Sequence, residues 1–202
     1  MNEPVELVAI LRGLTPLRAP EVGAALVAAG FRTIEVPLNS PEPFDTIKLL
    51  SRAHRECLVG AGTVLTAADV ERVHAAGGRL IVAPNCAADV IERALQLGLR
   101  VLPGIATATE AFAALRAGAT ELKLFPASTY GPRHLRALKS VLPRHAKIYP
   151  VGGIGSPDIA AWLESGADGF GFGSELFTPA YTLADIEKRA HGLIEALRAA
   201  NK

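Results

Sequence analysis

Little in this sequence invites a disulfide, a metal or a membrane. Its 202 residues include only two cysteines, Cys57 and Cys86, with no CxxC pair and no neighbouring paired histidines. That argues against a disulfide scaffold and a structural zinc site, and it fits a reducing, cytoplasmic setting. No apolar run is long enough to span a bilayer. The start, Met-Asn-Glu-Pro, has no basic segment leading into an apolar one, so a signal peptide is not expected either. A dominant charge sign is missing too. With a formal net charge of +1 and no basic run interleaved with aromatics, nucleic acid and anionic membrane are poor partners.

What is present is an ordinary globular composition, 50% hydrophobic and 20% charged, enough for one domain over residues 1–202 with a sizeable core. Short runs rich in Val, Ile and Leu alternate with Ala-rich amphipathic stretches, the pattern of a parallel sheet with helical crossovers. The spacing predicts strands over Val8 to Gly13, Thr33 to Leu38, Cys57 to Val64, Leu80 to Asn85, Val101 to Ile105, Glu121 to Pro126, Ile148 to Gly153 and Gly169 to Ser174. Thr15-Pro16, Ser40-Pro41 and Ser156-Pro157 read as helix caps followed by proline, and Thr107 to Glu110 reads as a capping box. Gly30, Gly77, Gly98, Gly118 and Gly166 stand where helices should close. The expectation is a small α/β (β/α)8 TIM barrel; an open doubly wound sheet is the competitor.

A barrel of this kind carries its chemistry at the C-terminal strand ends. In Glu121-Leu-Lys-Leu-Phe-Pro126 the period of two sets Lys123 on the same face as Phe125. A lysine buried there loses protons more readily and can act as a nucleophile, whereas a lysine snorkelling from a strand end is the plainer reading. Glu35 stands between Ile34 and Val36 on the second strand. If it faces the same cavity, amine and acid make a pair suited to carbonyl chemistry; otherwise they form a structural ion pair. Arg12-Gly13 ends the first strand with a fork for a carboxylate or phosphate, or with a surface arginine. Gly60-Ala-Gly-Thr63 brings backbone close to the mouth and presents a hydroxyl, without completing a dinucleotide fingerprint. Pro84 and Gly104 read as shape-setting positions. Gly152-Gly153 and Gly173-Ser174, at the seventh and eighth strand ends, are placed to hold a phosphate on backbone N–H groups. The five histidines fall in helices or loops away from strand ends, and none recommends itself as a base or a metal ligand.

Taken in order, Ala9-Ile-Leu-Arg-Gly13, Ile34-Glu-Val-Pro-Leu-Asn-Ser-Pro41, Gly60-Ala-Gly-Thr-Val64, Ala83-Pro-Asn85, Pro103-Gly104, Ala106-Thr-Ala-Thr-Glu110, Leu122-Lys-Leu-Phe-Pro126, Val151-Gly-Gly153 and Gly173-Ser174 resemble the class I aldolases of 2-keto-3-deoxy-6-phospho sugar acids, the KDPG/KHG aldolases. The likeness is closest to the 2-dehydro-3-deoxy-6-phosphogalactonate branch and covers essentially the whole chain. It implies a homotrimer of (β/α)8 barrels with no metal and no cofactor. It also implies a phosphorylated 2-keto-3-deoxy sugar acid as substrate, with pyruvate and D-glyceraldehyde 3-phosphate as products. Lys123 would form the Schiff base and Glu35 would move protons. Arg12 and Thr63 would hold the carboxylate, Pro84 and Phe125 would wall the reacting carbons, and the paired glycines with Ser174 would hold the phosphate. The chain departs from the gluconate-type members in one place: where they carry an arginine after the glutamate strand, it reads Leu38-Asn39-Ser40. Arg12 is the candidate to take that role, and the gluconate epimer stands as the alternative substrate. A sugar-phosphate isomerase or epimerase, and a non-catalytic phosphosugar-binding barrel, are the readings the resemblance competes with.

Overall fold

The computed structural model describes residues 5–200, so the reading of residues 1–4 lies outside the described residues. The strands are β1 (Glu6–Ile10), β2 (Thr33–Pro37), β3 (Leu58–Gly62), β4 (Leu80–Val82), β5 (Arg100–Leu102), β6 (Gly104–Ile105), β7 (Glu121–Leu124), β8 (Lys147–Pro150) and β9 (Gly169–Phe172). Between and after them run α1 (Ala19–Ala29), α2 (Pro43–Ala53), α3 (Ala67–Ala75), α4 (Ala88–Gln96), α5 (Ala108–Arg116), α6 (Ala127–Val141), α7 (Ile159–Glu164) and α8 (Leu183–Ala200).

All strand pairs are parallel, and β1 pairs with both β2 and β9. The first strand is thus flanked by the second and the last. β5 and β6 are halves of one barrel strand parted at Pro103, which has no N–H to give the ladder. The Pro103 carbonyl nevertheless accepts from Lys123 N at 2.8 Å, which ties β7 to this strand. On the other side a bridge between Val151 and Gly171 joins the end of β8 to β9. The result is a closed (β/α)8 barrel.

Alternation along the strands divides the core in two. Ala9, Ile34, Val36, Val59, Leu122, Leu124 and Phe170 face outward and pack under the helices. Val8, Leu80, Val82, Leu102 and Tyr149 fill the barrel itself. Burying a side chain of this size stabilises by about 1.5–3 kcal/mol, so this outer layer carries most of the fold.

The N-terminal mouth is plugged by charge. Arg100 donates from Nη1 to Glu6 Oε1 at 2.9 Å and from Nε to Glu121 Oε2 at 2.5 Å. Tyr149 donates its hydroxyl to Glu121 Oε1 at 3.0 Å, and Thr33 donates to Glu6. These contacts hold Glu6 below its ordinary carboxylate range although burial alone pushes it up, and they hold the Arg100 guanidinium well above its usual value.

The fifth expected strand ends at Ile105, as β6 does; the other seven overshoot their C-terminal ends by one to three residues, because the chain leaves the ladder there and turns into a loop. Helix punctuation agrees in part. Thr107 and Glu110 form the capping box, with Glu110 N donating to Thr107 Oγ1 and Glu110 accepting from Thr107 N. Gly30, Gly77, Gly98, Gly118 and Gly166 all have positive φ, as closing residues require. The hydroxyl-proline signals behave differently. Thr15 does not cap α1, which begins at Ala19. Ser40 does not cap α2, which begins at Pro43; its hydroxyl accepts instead from Gly13 N at 2.9 Å. Ser156-Pro157 opens a single 3-10 turn, Ser156–Asp158, ahead of α7.

Candidate active site

Period two sends Ile10, Arg12, Glu35, Lys123 and Phe125 toward the C-terminal end of the barrel interior. A cleft of about 770 Å³ opens there. Arg12, Lys123, Phe125, Gly152, Gly153, Gly173 and Ser174 line it; Glu35, Thr63 and Pro84 do not. The far wall is a stretch that sequence reasoning left out: Glu175, Phe177, Thr178 and Pro179, in the loop after β9. Arg18 holds that loop by donating to the carbonyls of Pro179 and Tyr181, both at 3.0 Å. Nothing in the composition of residues 175–179 signals a cleft wall, although Pro179 packs on Gly13, where a Cβ would lie 2.7 Å from its Cγ.

Lys123 is 6% exposed, so it does not snorkel into solvent. Burial pulls its pKa down, the neighbouring Glu35 carboxylate pulls it back up, and the Arg12 guanidinium lowers it further. Its Nζ stands 4.8 Å from the centroid of the Phe125 ring. That ring in turn lies against Gly152, where a Cβ would come within 3.0 Å of Phe125 Cε2. Gly152 and Gly153 both take positive φ, and the Val151 and Gly152 carbonyls accept from Ala127 N and Ser128 N at 2.8 and 3.0 Å. The start of α6 therefore fixes this glycine turn from behind. Beside it, the Asp158 carboxylate accepts from Gly155 N at 2.7 Å.

Glu35 is 1% exposed, and its Oε2 has no hydrogen-bond partner. Burial pushes its pKa up to about 7, against the opposing pull of Lys123 and Arg12. The glycines of β3 explain how a carboxylate fits there at all. A Cβ on Gly62 would collide with the Glu35 carboxyl group, and one on Gly60 would collide with the Leu80 carbonyl. The expected close approach of this strand is thus to Glu35 at Gly62 and to the Leu80 backbone at Gly60. Thr63, next in the chain, is half-buried with φ of +56, a conformation costly for a side chain branched at Cβ. Pro84 is half-buried and backs onto Gly104.

Arg12 is exposed and donates from Nη1 to Asn39 Oδ1 at 2.5 Å. The arginine and the asparagine noted in the sequence therefore meet across the β1 and β2 loops. Among the histidines, His134 comes nearer the barrel end than its position in α6 suggests, with Nε2 2.6 Å from the carbonyl oxygen of Ala106. No group of three or more metal-ligating side chains occurs among the described residues. Nor is any helix among them long and apolar enough to cross a membrane.

A buried amine, a buried carboxylate of raised pKa and a nearby guanidinium at the end of a (β/α)8 barrel make up a constellation that comparison places in a family. Residues 5–189 match the family model for aldolases described as KDPG and KHG aldolase. A probable 2-dehydro-3-deoxy-6-phosphogalactonate aldolase of Rhizobium meliloti is 46% identical over 191 residues, 94% of this chain and 90% of that protein. A solved structure described as native KDPGal superposes with a TM-score of 0.96 at 41% identity, covering 100% of this chain and 98% of that one. The KDPG aldolase of Legionella pneumophila, solved with pyruvate captured as a covalent carbinolamine intermediate, gives 0.80 at 26% identity and covers 97% of this chain and 94% of its own. Matched along nearly its full length in sequence and in fold, the chain belongs to the KDPG and KHG aldolase family.

Proposed function

We propose that this aldolase cleaves 2-dehydro-3-deoxy-6-phosphogalactonate to pyruvate and D-glyceraldehyde 3-phosphate through a Schiff base on Lys123. The observation that carries the reading is the burial of Lys123 in the cleft with its pKa lowered, which keeps a fraction of the amine free to attack.

Lys123 Nζ adds to the C2 carbonyl, giving a carbinolamine that loses water to a protonated imine. Glu35, acting directly or through a water, removes the C4 hydroxyl proton. The C3–C4 electron pair then flows into the imine, leaving an enamine on the lysine and releasing D-glyceraldehyde 3-phosphate. Protonation at C3 and addition of water free pyruvate and regenerate the amine. A carboxyl whose pKa is about 7 can give and take protons near neutrality, which this sequence of steps demands of Glu35.

Arg12 and Thr63 take the C1 carboxylate, and Phe125 and Pro84 bound the reacting carbons. The N–H groups around Gly152, Gly153, Gly173 and Ser174 take the phosphate, the left-handed glycine turn favouring an anion. In the same reading the chain works in the cytoplasm as a homotrimer, without metal or cofactor. Leu17, 90% exposed, and Leu65, both in loops and turns after barrel strands, with Tyr130 in the first turn of α6, supply apolar surface for contact between copies.

The test is pyruvate release from the galactonate-type and gluconate-type epimers, followed by a coupled dehydrogenase. A kcat/KM higher for the galactonate-type acid supports the assignment; preference for the gluconate-type acid overturns its substrate half, and no release from either overturns the whole. Light scattering on the purified chain tests the trimer separately.

A further inference from the structure

We infer that Asn39 is a positioning residue for Arg12, holding the guanidinium where it meets the substrate carboxylate without cancelling its charge. This rests on the reading in which Arg12 binds that carboxylate.

Arg12 lies just past β1 and is exposed, so on its own it would sample many rotamers, and binding an anion would first have to order it. The Asn39 amide oxygen removes that freedom by accepting from Nη1 at 2.5 Å. One N–H of five is used, and the rest of the fork stays available for a carboxylate. An aspartate would orient the guanidinium equally well but would form an ion pair and spend its charge. A neutral acceptor orients and leaves the field intact.

The loop that carries Asn39 is itself fixed. Leu38 N donates to the Gly62 carbonyl at 2.8 Å, Ser40 N to the Pro37 carbonyl at 2.9 Å, and the buried Ser40 hydroxyl accepts from Gly13 N at 2.9 Å. Pro37, Pro41 and Pro43 flank it, and Glu42 is held at φ of +44. The residue after Arg12 and the residue after Asn39 are thus bonded to each other, so the two loops form one rigid frame with the Arg12 to Asn39 bond as its outer rung.

The experiment runs the reaction in the condensation direction, where the two reactants report on opposite ends of the cleft. In Asn39→Ala the KM for pyruvate should rise about ten-fold, the size expected for losing a hydrogen bond to a charged group. The KM for D-glyceraldehyde 3-phosphate and the kcat should stay within about two-fold. Asn39→Asp, which keeps the acceptor and adds a charge, should raise the pyruvate KM as well. In an Arg12→Ala background, Asn39→Ala should have no further effect, because it acts through Arg12.

The inference is overturned if Asn39→Ala leaves the pyruvate KM unchanged or raises both KM values alike, or if its effect persists at full size without Arg12. It also falls if Arg12→Ala itself spares the pyruvate KM, a result that leaves the aldolase reading standing. Failure of that reading looks different, since the unaltered protein would then condense nothing.

Discussion

Glu121 and Lys123 lie two residues apart on the same strand, both facing into the barrel, and their surroundings could hardly differ more. At the N-terminal mouth Glu121 shares Arg100 with Glu6 and receives a hydrogen bond from Tyr149. Every charge there has a partner of the opposite sign within hydrogen-bonding distance. At the C-terminal mouth Lys123 and Glu35 are buried more deeply, interact through their fields, and leave Glu35 Oε2 without a hydrogen bond. The first arrangement resists titration: Glu6 is held low and Arg100 high. The second is poised to titrate, with the acid raised and the amine lowered toward each other. A satisfied cluster holds the barrel shut, and an unsatisfied one keeps protons mobile.

Substitutions on either side should separate these roles. Lys123→Ala should bring the largest change, loss of turnover to background while the thermal transition stays cooperative, read by pyruvate release and calorimetry. Glu35→Gln should lower kcat by about 10²- to 10⁴-fold. It should also reshape the acid limb of the pH–kcat/KM profile, removing the part that comes from Glu35 taking up its proton near pH 7 and leaving the part set by protonation of Lys123.

Arg100→Met should do the reverse, leaving activity per folded molecule unchanged and lowering stability by about 1.5–3 kcal/mol in denaturant titration, because half-buried Glu6 and Glu121 would lose the charged donor they share. The sign of its pH dependence follows from Glu6. A carboxyl with a depressed folded pKa contributes fully above the unfolded value of 4.5, and that contribution is lost as pH falls through the folded value. The acid-side loss of stability should therefore shrink in Arg100→Met. Tyr149→Phe should show the smallest effect, about 1 kcal/mol for a hydroxyl that donates to Glu121 and accepts from Arg100, since the charged partners keep each other, again with kcat intact. A drop in kcat from either N-terminal substitution would merge the two regions that the structure keeps apart.

The working end of the barrel was more legible in the sequence than the plug. Alternation alone put Lys123 with Phe125 and turned Glu35 away from Ile34 and Val36, and the glycine pairs marked where the seventh and eighth strands end. Arg100 stayed hidden because its partners lie 94 and 21 positions away, and only closure of the sheet brings Glu6 and Glu121 to the same mouth. At strand starts, charged residues read by default as solvent-facing. Ser40 was misread for a related reason. A hydroxyl before proline suits a helix cap, but the tertiary structure uses it to receive Gly13 N. The wall at 175–179 carried no signal, since its place depends on Arg18 reaching it from the start of α1.

Whether the poised pair does covalent chemistry is open to one direct measurement. The protein is incubated with pyruvate, reduced with borohydride, digested, and its peptides are weighed. The structure predicts a reduced pyruvate adduct on Lys123, absent when either pyruvate or borohydride is left out. An unmodified Lys123, or an adduct carried by another lysine, would contradict it.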